Sequence, residues 1–290
     1  MGKENRSTIF VDEGPLLSIE EFPDQQYIMR IEAPKVAAHA KPGSFVHIRC
    51  NSEIPMRRPI SLMRVDRSAG WIEIYFKVVG LGLDALRKID VGAAINLLGP
   101  IGNGYGDGSS GKTQLMLGGG VGIPPMLFLA ENLHASGNDR TPIVFMGSES
   151  PFPFELSPST IDISGMPADS TSCVPAMEAI NIPSRLASLQ DYVGVHKGFV
   201  TDLAREWLTA NPEEKDNTEI FACGPEPMLQ AVATLANEFK LDAELCLEEY
   251  MACAIGGCAG CAVKIQTADG FAMKRVCVDG PVFNASEIYS

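Results

Sequence analysis

Four cysteines near the C-terminus constrain this chain more than any other feature. Three fall in the uncharged stretch CAIGGCAGC, residues 253–261, and a fourth follows at Cys277, giving Cys253-x4-Cys258-x2-Cys261-x15-Cys277. A disulfide joins two cysteines, so three thiols this close together fit that chemistry badly. An uncharged loop is also a poor surface element unless something occupies it. The residues between the thiols, Ala254, Gly256, Gly257, Ala259 and Gly260, keep side-chain bulk out of the way. They let the backbone turn tightly and aim its N–H groups at sulfur.

The spacing of the first three matches the C-x4-C-x2-C run of plant-type [2Fe–2S] sites, which a distant fourth cysteine completes. Cys253, Cys258, Cys261 and Cys277 are therefore the candidate metal ligands. Inward N–H dipoles also suit the negative charge of such a cluster. The alternative is a structural zinc site with four cysteine ligands. Zinc prefers two short C-x2-4-C knuckles, and here the fourth cysteine stands alone. Cys50, Cys173 and Cys246 read as packed thiols.

The rest of the composition narrows the class. With 290 residues, 46% of them hydrophobic, the chain is long enough for two or three domains with buried cores. A net charge of −13 makes nucleic acid a poor partner. MGKENRSTIF at the N-terminus is not of signal-peptide type, and no uninterrupted apolar run reaches membrane-span length. Eight cysteines without an export signal point to a reducing compartment, so a cytoplasmic location is expected.

Residues 1–105 read as β-rich. WIEIYFKV (71–78) alternates, with Ile72, Ile74, Phe76 and Val78 on one face, which predicts a half-buried strand; SFVHIRC (44–50) is similar. Short strands broken by Gly and Pro predict an antiparallel barrel. GNGYGDGSSG (102–111) reads as a linker. From 112 to 241 the pattern changes to strands alternating with helices: QLMLGGGVG (114–122), PPMLFLAENLHASG (124–137), PIVFMG (142–147), EIFACG (219–224) and PEPMLQAVATLANEFK (225–240). That alternation predicts a parallel sheet covered on both faces. In the last helix, Met228, Val232, Leu235 and Phe239 form an apolar stripe. Residues 150–190 are rich in Pro and Ser and suggest no clear element. Residues 242–290 form the cysteine-rich end, a small cluster domain.

Two further motifs carry chemistry. GGGVGIPP (118–125) lies between a strand and a helix, where glycines admit a phosphate to the backbone and the helix N-terminus favours its charge. It is not a full G-x-G-x-x-G, and a plain tight turn is the alternative. Cys223-Gly224-Pro225 closes a later strand, where open α/β sheets bind ligands; its alternative is a buried strand-end thiol. RRPIS (57–61) places two adjacent arginines in the barrel half, and an arginine fork suits a diphosphate, although two solvated surface arginines would read the same way.

Taken together, RPIS, GGGVGIPP, CGPEPM and the C-terminal [2Fe–2S] pattern resemble the ferredoxin–NADP reductase superfamily. Within it, HKGFVTD (196–202), FACGPEPML (221–229), LEEYMACAIGGCAGC (247–261) and VCVDGPVF (276–283) resemble the electron transfer subunits of NAD-dependent dihydroorotate dehydrogenases. The resemblance implies three roles: an FAD-binding barrel (1–105), a nicotinamide-binding α/β domain (112–241) and a [2Fe–2S] domain (242–290). It implies that Arg58, Pro59, Ile60 and Ser61 contact FAD, that Tyr75, Phe76 and Lys77 line the flavin, and that Gly82 and Leu83 lie at its phosphates. The family often has Gly-Thr at that last pair, so Leu83 lacks a hydroxyl contact. Gly118, Gly119, Gly120, Gly122, Cys223 and Gly224 would seat NAD. Glu149, just past the strand PIVFMG, would meet the ribose 2′-hydroxyl; the alternative is a solvated carboxylate. Family members commonly have Arg where this chain has Tyr250.

The implied activity is electron relay in pyrimidine biosynthesis. A partner subunit with FMN oxidises dihydroorotate, and the electrons reach NAD through the [2Fe–2S] cluster and FAD. No catalytic residue of its own is expected. Three rival readings remain: the small subunit of a ferredoxin-dependent NAD(P) transhydrogenase, a stand-alone flavin reductase, and a zinc-stabilised binding module.

Overall fold

The computed structural model describes residues 8–106, 113–137, 139–268 and 270–289; residues 107–111 of the glycine-rich stretch expected to be a linker lie outside them. Six antiparallel strands, β1 (Phe10–Phe22), β2 (Gln26–Glu32), β3 (Phe45–Ile48), β4 (Arg58–Asp66), β5 (Trp71–Lys77) and β6 (Ala94–Ile101), close a barrel in the order β1-β2-β5-β4-β3-β6. Helices α1 (Pro34–His39) and α2 (Gly80–Leu86) sit in its connections. Alternate residues fill the barrel core, among them Val46, Ile48, Leu62, Ile72, Ile74, Phe76 and Leu97. The other face of β5 is not open to solvent as its alternation predicted. Glu73 is 6% and Tyr75 4% exposed there. The neighbouring domain covers that face, and Arg64 ties it down by pairing with Glu73 at 3.6 Å and Glu131 at 2.5 Å.

The second unit is a seven-stranded sheet. Its strands are β7 (Thr113–Gly119), β8 (Thr141–Gly147), β11 (Ser184–Ser188), β12 (His196–Lys197), β13 (Thr218–Cys223), β14 (Ala243–Cys246) and β17 (Val282–Asn284), in the order β12-β11-β8-β7-β13-β14-β17. All neighbours are parallel except β14 and β17. Along β7 and β8 the side chains alternate between two cores. Met116, Val144 and Met146 pack on α3 (Ile123–Ser136). Leu115, Leu117, Ile143 and Phe145 face α5 (Val200–Ala210) and α6 (Glu226–Phe239). Gly137 ends α3 in the left-handed conformation, with φ of 62°, as its position predicts. In α6, Val232 and Leu235 of the expected stripe are fully buried, and Met228 and Phe239 pack at its edge.

The segment at 150–190 is ordered around serines. It forms a short pair, β9 (Ser157–Pro158) and β10 (Ser172–Cys173), a turn of helix α4 (Pro175–Glu178), and then β11. Ser184 Oγ accepts the Val174 N–H at 2.9 Å, and Ser188 Oγ donates to the Ser148 carbonyl at 2.7 Å. These hydroxyls are buried because the backbone satisfies them.

Beyond residue 241 the chain first extends the same sheet. β14 and β17 form its edge, and between them lie the cysteine loop and a hairpin of β15 (Ala262–Thr267) and β16 (Gly270–Arg275). This excursion packs directly on the barrel: Phe45 and Ile101 share a core with Leu247, Met251, Ala254, Cys261, Cys277 and Phe283. Asn103 locks the seam, donating its backbone N–H to Gly280 O at 2.6 Å and its side-chain amide to Val278 O at 2.9 Å. No helix among the described residues is long and apolar enough to cross a membrane.

Candidate functional site

The cysteine loop is built by backbone direction. Ala254, Gly256 and Ala259 adopt positive φ of 56°, 83° and 54°. An alanine in that region costs on the order of 1 kcal/mol and persists where the surroundings demand it. The effect is to turn N–H groups onto sulfur. The Cys258 N–H reaches Cys253 Sγ at 3.4 Å, and the Gly260 N–H reaches Cys258 Sγ at 3.4 Å. Arg275 holds the loop from below, donating to the Gly256 carbonyl at 2.9 Å.

All four cysteines carry free thiols, and they fall into two pairs. Cys253 interacts with Cys258, and Cys261 Sγ lies 3.4 Å from Cys277 Sγ. Burial raises the Cys253 thiol, but the N–H groups of Ile255, Cys258 and Gly257 outweigh it and bring the group down to about 7. Burial, reinforced by Cys261, pushes Cys277 up to about 12. A thiolate at Cys277 therefore needs a cation bound to it. Among the described residues no three His, Cys, Asp or Glu side chains gather around one ion-sized point.

The expected nucleotide residues meet at the carboxyl ends of β7 and β13. Cys223 lies beside Gly118 in register, and Gly122 packs against the Cys223 carbonyl so closely that no side chain fits. Gly119 and Gly224 both make room for Met228 Sδ. Only Gly120, with φ of 54°, has open space where a side chain would be. Glu149 is exposed just past the end of β8, on the same edge of the sheet. Of two further residues near this edge, Cys246 is the packed thiol the sequence suggested, and Glu248 was not singled out. Cys246 is the register partner of Cys223, and its thiol together with burial pushes Cys223 well above the usual thiol range. Glu248 keeps access to solvent but is walled in by protein, which raises its carboxyl.

In the barrel the two arginines divide. Arg57 is committed to the fold: its Nη1 donates to the carbonyls of His47 and Asn96, both at 3.1 Å, and its Nη2 donates to Asn96 Oδ1. Arg58 forms no ion pair among the described residues. Its guanidinium lies over Gly82 in the first turn of α2, where a side chain on Gly82 would come within 2.7 Å of Nε. Pro59 and Ser61 are half-buried on the outer face of β4. The side chains of five other expected flavin residues make other contacts within the protein. Ile60 and Phe76 fill the barrel core, because β4 and β5 alternate and those positions face inward. Tyr75 donates to Gln26 Oε1 and packs at the seam with Met63 and Ile123. Lys77 bonds Asp24 at 2.5 Å and Ser150 Oγ at 2.9 Å. Leu83 packs against the barrel core.

Comparison with known proteins agrees with this arrangement. The family described as the iron-sulfur cluster binding domain of dihydroorotate dehydrogenase B matches residues 248–289. The chain is 33% identical over 271 residues to the dihydroorotate dehydrogenase B (NAD(+)) electron transfer subunit of Listeria monocytogenes serotype 4a, covering 92% of this chain and 94% of that one. The subunit of the same description from Fusobacterium nucleatum subsp. nucleatum is 32% identical over 266 residues, with 90% and 92% covered. Among solved structures, an NADH-dependent reduced ferredoxin–NADP oxidoreductase superposes with a TM-score of 0.75 at 24% identity, over 95% of this chain and 89% of that one. A ferredoxin reductase of carbazole 1,9a-dioxygenase gives 0.58 at 20% identity, over 80% and 65%.

Proposed function

The chain belongs to the family of dihydroorotate dehydrogenase B (NAD(+)) electron transfer subunits, and from that premise we propose that it carries electrons from a partner dehydrogenase to NAD. The donor is an FMN-containing catalytic subunit that oxidises dihydroorotate to orotate in pyrimidine biosynthesis. The protein works in the cytoplasm, where its eight free thiols stay reduced. The observation that carries the reading is the seam at which the cysteine segment meets the barrel, where Asn103 donates to the carbonyls of Val278 and Gly280, just past Cys277. Cluster loop and flavin-binding barrel are thus held together without a flexible linker.

When bound, a [2Fe–2S] cluster holds one electron and FAD holds one or two, so the two groups together convert between single-electron transfer and the hydride chemistry of NAD. The chain's own residues do the rest. Cys253, Cys258, Cys261 and Cys277 would hold the cluster through their thiolates. The N–H groups of Cys258 and Gly260 stabilise charge on the sulfurs. Arg58 and the first turn of α2 at Gly82 would hold the FAD diphosphate; the Arg58 guanidinium, which lies against Gly82 and forms no ion pair among the described residues, supports this. Pro59 and Ser61, on the outer face of β4, would contact the flavin; Ile60, Tyr75, Phe76, Lys77 and Leu83 would brace the strands and helix that form its seat. Gly118, Gly119, Gly120, Gly122 and Gly224 shape the turn that takes the NAD diphosphate at α3. Cys223, kept protonated by Cys246 and burial, borders the nicotinamide. Glu149 accepts hydrogen bonds from the adenosine ribose.

We assign residues 1–105 to FAD, 112–241 to NAD and 242–290 to the cluster. Tyr250, 94% exposed, and Ile255, 58% exposed, offer an apolar surface beside the cluster loop for the partner subunit. The test is dihydroorotate-dependent NAD reduction by the chain alone and with an FMN-loaded family partner. The chain alone should oxidise NADH with an artificial acceptor and leave dihydroorotate untouched. Absence of any gain on adding the partner, with all cofactors loaded, would reject the assignment.

A further inference from the structure

Three large apolar side chains stand exposed around Arg58. Arg58 Nη1 donates to the carbonyls of Met56 at 2.8 Å and Arg57 at 3.2 Å, and the guanidinium lies against Gly82. Met56 is 43% exposed. Beside Gly82, Leu81 is 81% and Val79 73% exposed. The strand pairing brings these segments together. β5 runs antiparallel to β4, so its last residue, Lys77, lies toward the end at which β4 begins with Arg58. The turn into α2 then carries Val79 to Gly82 past that end. Gly80, between the two apolar residues, has nothing within 4 Å of where a side chain would be. Leu83 and Leu86 of the same helix turn the other way and pack on the barrel core.

A single exposed leucine is ordinary on a protein surface; an apolar rim around a cation with no ion pair is not. Such a rim fits a molecule that is anionic at one point and flat and apolar beside it. FAD is a molecule of that kind, since its diphosphate joins the flavin at one end to adenosine at the other. The flavin lies along Pro59 and Ser61, where β4 continues from Arg58. The adenosine then leaves the diphosphate on the side where β4 has not yet begun, and that side carries Met56, Val79 and Leu81. Adenine has two apolar faces to remove from water, and these side chains offer aliphatic surface to cover one.

We propose that Met56, Val79 and Leu81 seat the adenosine half of FAD and make the barrel select FAD over FMN, which has the flavin and a phosphate but no adenosine. This rests on the placement of the diphosphate at Arg58 under Proposed function. The test titrates the full, iron-loaded chain, freed of flavin, with FAD and with FMN, following flavin fluorescence. Unaltered protein should bind FAD about tenfold more tightly than FMN, a difference of about 1.4 kcal/mol. The double variant Met56→Ser, Leu81→Ser should lose about that factor for FAD and change less than about twofold for FMN, so that the preference collapses. Its melting temperature without flavin should hold, because both side chains are exposed. Leu81→Met should keep the affinity for FAD. Equal affinity of the unaltered protein for the two flavins would overturn the proposal. An equal loss for both flavins in the double variant would also overturn it, placing these side chains at the ring or in the fold. An unchanged Kd for FAD would overturn it and leave the patch to a protein partner. Arg58→Ala separates the adenosine seat from the diphosphate seat it adjoins, and should weaken FAD and FMN alike because both carry phosphate. If Arg58→Ala weakened neither, the diphosphate would lie elsewhere and the adenosine seat would fall with it. If it weakened both while the double variant changed neither, the diphosphate seat would stand and the adenosine seat alone would fall.

Discussion

The cysteine loop at 253–261 and the glycine turn at 118–122 look alike as sequence, since both are runs of small residues, but they use those residues for opposite purposes. In the cysteine loop smallness frees the backbone. Ala254, Gly256 and Ala259 take positive φ, Gly257 has nothing within 4 Å of where a side chain would be, and N–H groups converge on sulfur. In the glycine turn smallness makes room for protein. Gly119 and Gly224 accommodate Met228, and Gly122 accommodates the Cys223 carbonyl. A glycine-rich run near a ligand site is therefore not by itself a ligand cradle; its packing decides.

The sharpest way to break that comparison is to remove a thiol. Cys258 is the exposed member of its pair and takes the Gly260 N–H. Cys258→Ser should cost nearly all the iron, measured per chain, and leave FAD largely bound, because the barrel seat around Arg58 shares no residue with the loop. Full cluster absorbance in the variant would show that the ligand set is misassigned. The next largest effect belongs to the turn. Gly122→Ala drives a methyl into a backbone carbonyl of a central strand, which cannot yield. A loss of roughly 1–3 kcal/mol is expected, with weakened NADH binding, read from the urea midpoint and from NADH titration.

Much of this division was readable before the fold. Thiol spacing pointed to the iron-sulfur segment because ligand geometry is local: three of the four proposed ligands lie in nine residues. Period-2 alternation gave the barrel core at Ile72, Ile74 and Phe76. What alternation could not give is which outer faces get covered, because that depends on distant chain. Glu73 and Tyr75 looked solvent-facing until α3 and the segment after β8 were laid over them. β11 escaped notice for a related reason. Its serines are polar in sequence and are satisfied only by backbone partners elsewhere, at Val174 and Ser148. The arginine pair was legible as a pair, but not in its division, since Arg57 is claimed by Asn96 across the barrel.

Within the cysteine loop the comparison can be sharpened by two neighbours. Gly256 has φ of 83°, and a side chain there would meet Val278 Cγ2 at 2.6 Å. Gly257 has open space. Gly256→Ala should cost about 1–2 kcal/mol and some of the iron, by strain at positive φ. Gly257→Ala should stay within about 0.5 kcal/mol of the unaltered protein. Equal losses at both sites, in chemical denaturation and iron content, would mean that backbone direction is not what the loop selects for.

The smallest expected effect tests whether the glycine turn seats a nucleotide at all. A dinucleotide whose diphosphate rests at the N-terminus of α3 extends along the carboxyl edge of the sheet, and the next strand there is β8. Glu149 lies just past its end, exposed. A carboxylate there accepts hydrogen bonds from a ribose 2′-hydroxyl and repels a 2′-phosphate, so NADH should be preferred to NADPH in kcat/KM. Glu149→Gln keeps an acceptor oxygen and removes the charge. NADPH use should therefore rise about three- to tenfold while NADH use changes less, and the difference should shrink as salt is added, because an exposed charge is screened. The salt arm matters. A change in preference that ignored ionic strength would point to altered packing of the 148–156 segment, which Lys77 and Gln26 hold to the barrel through Ser150 and Pro151. No change in preference would place the adenosine elsewhere and leave the glycine turn with packing alone to explain it.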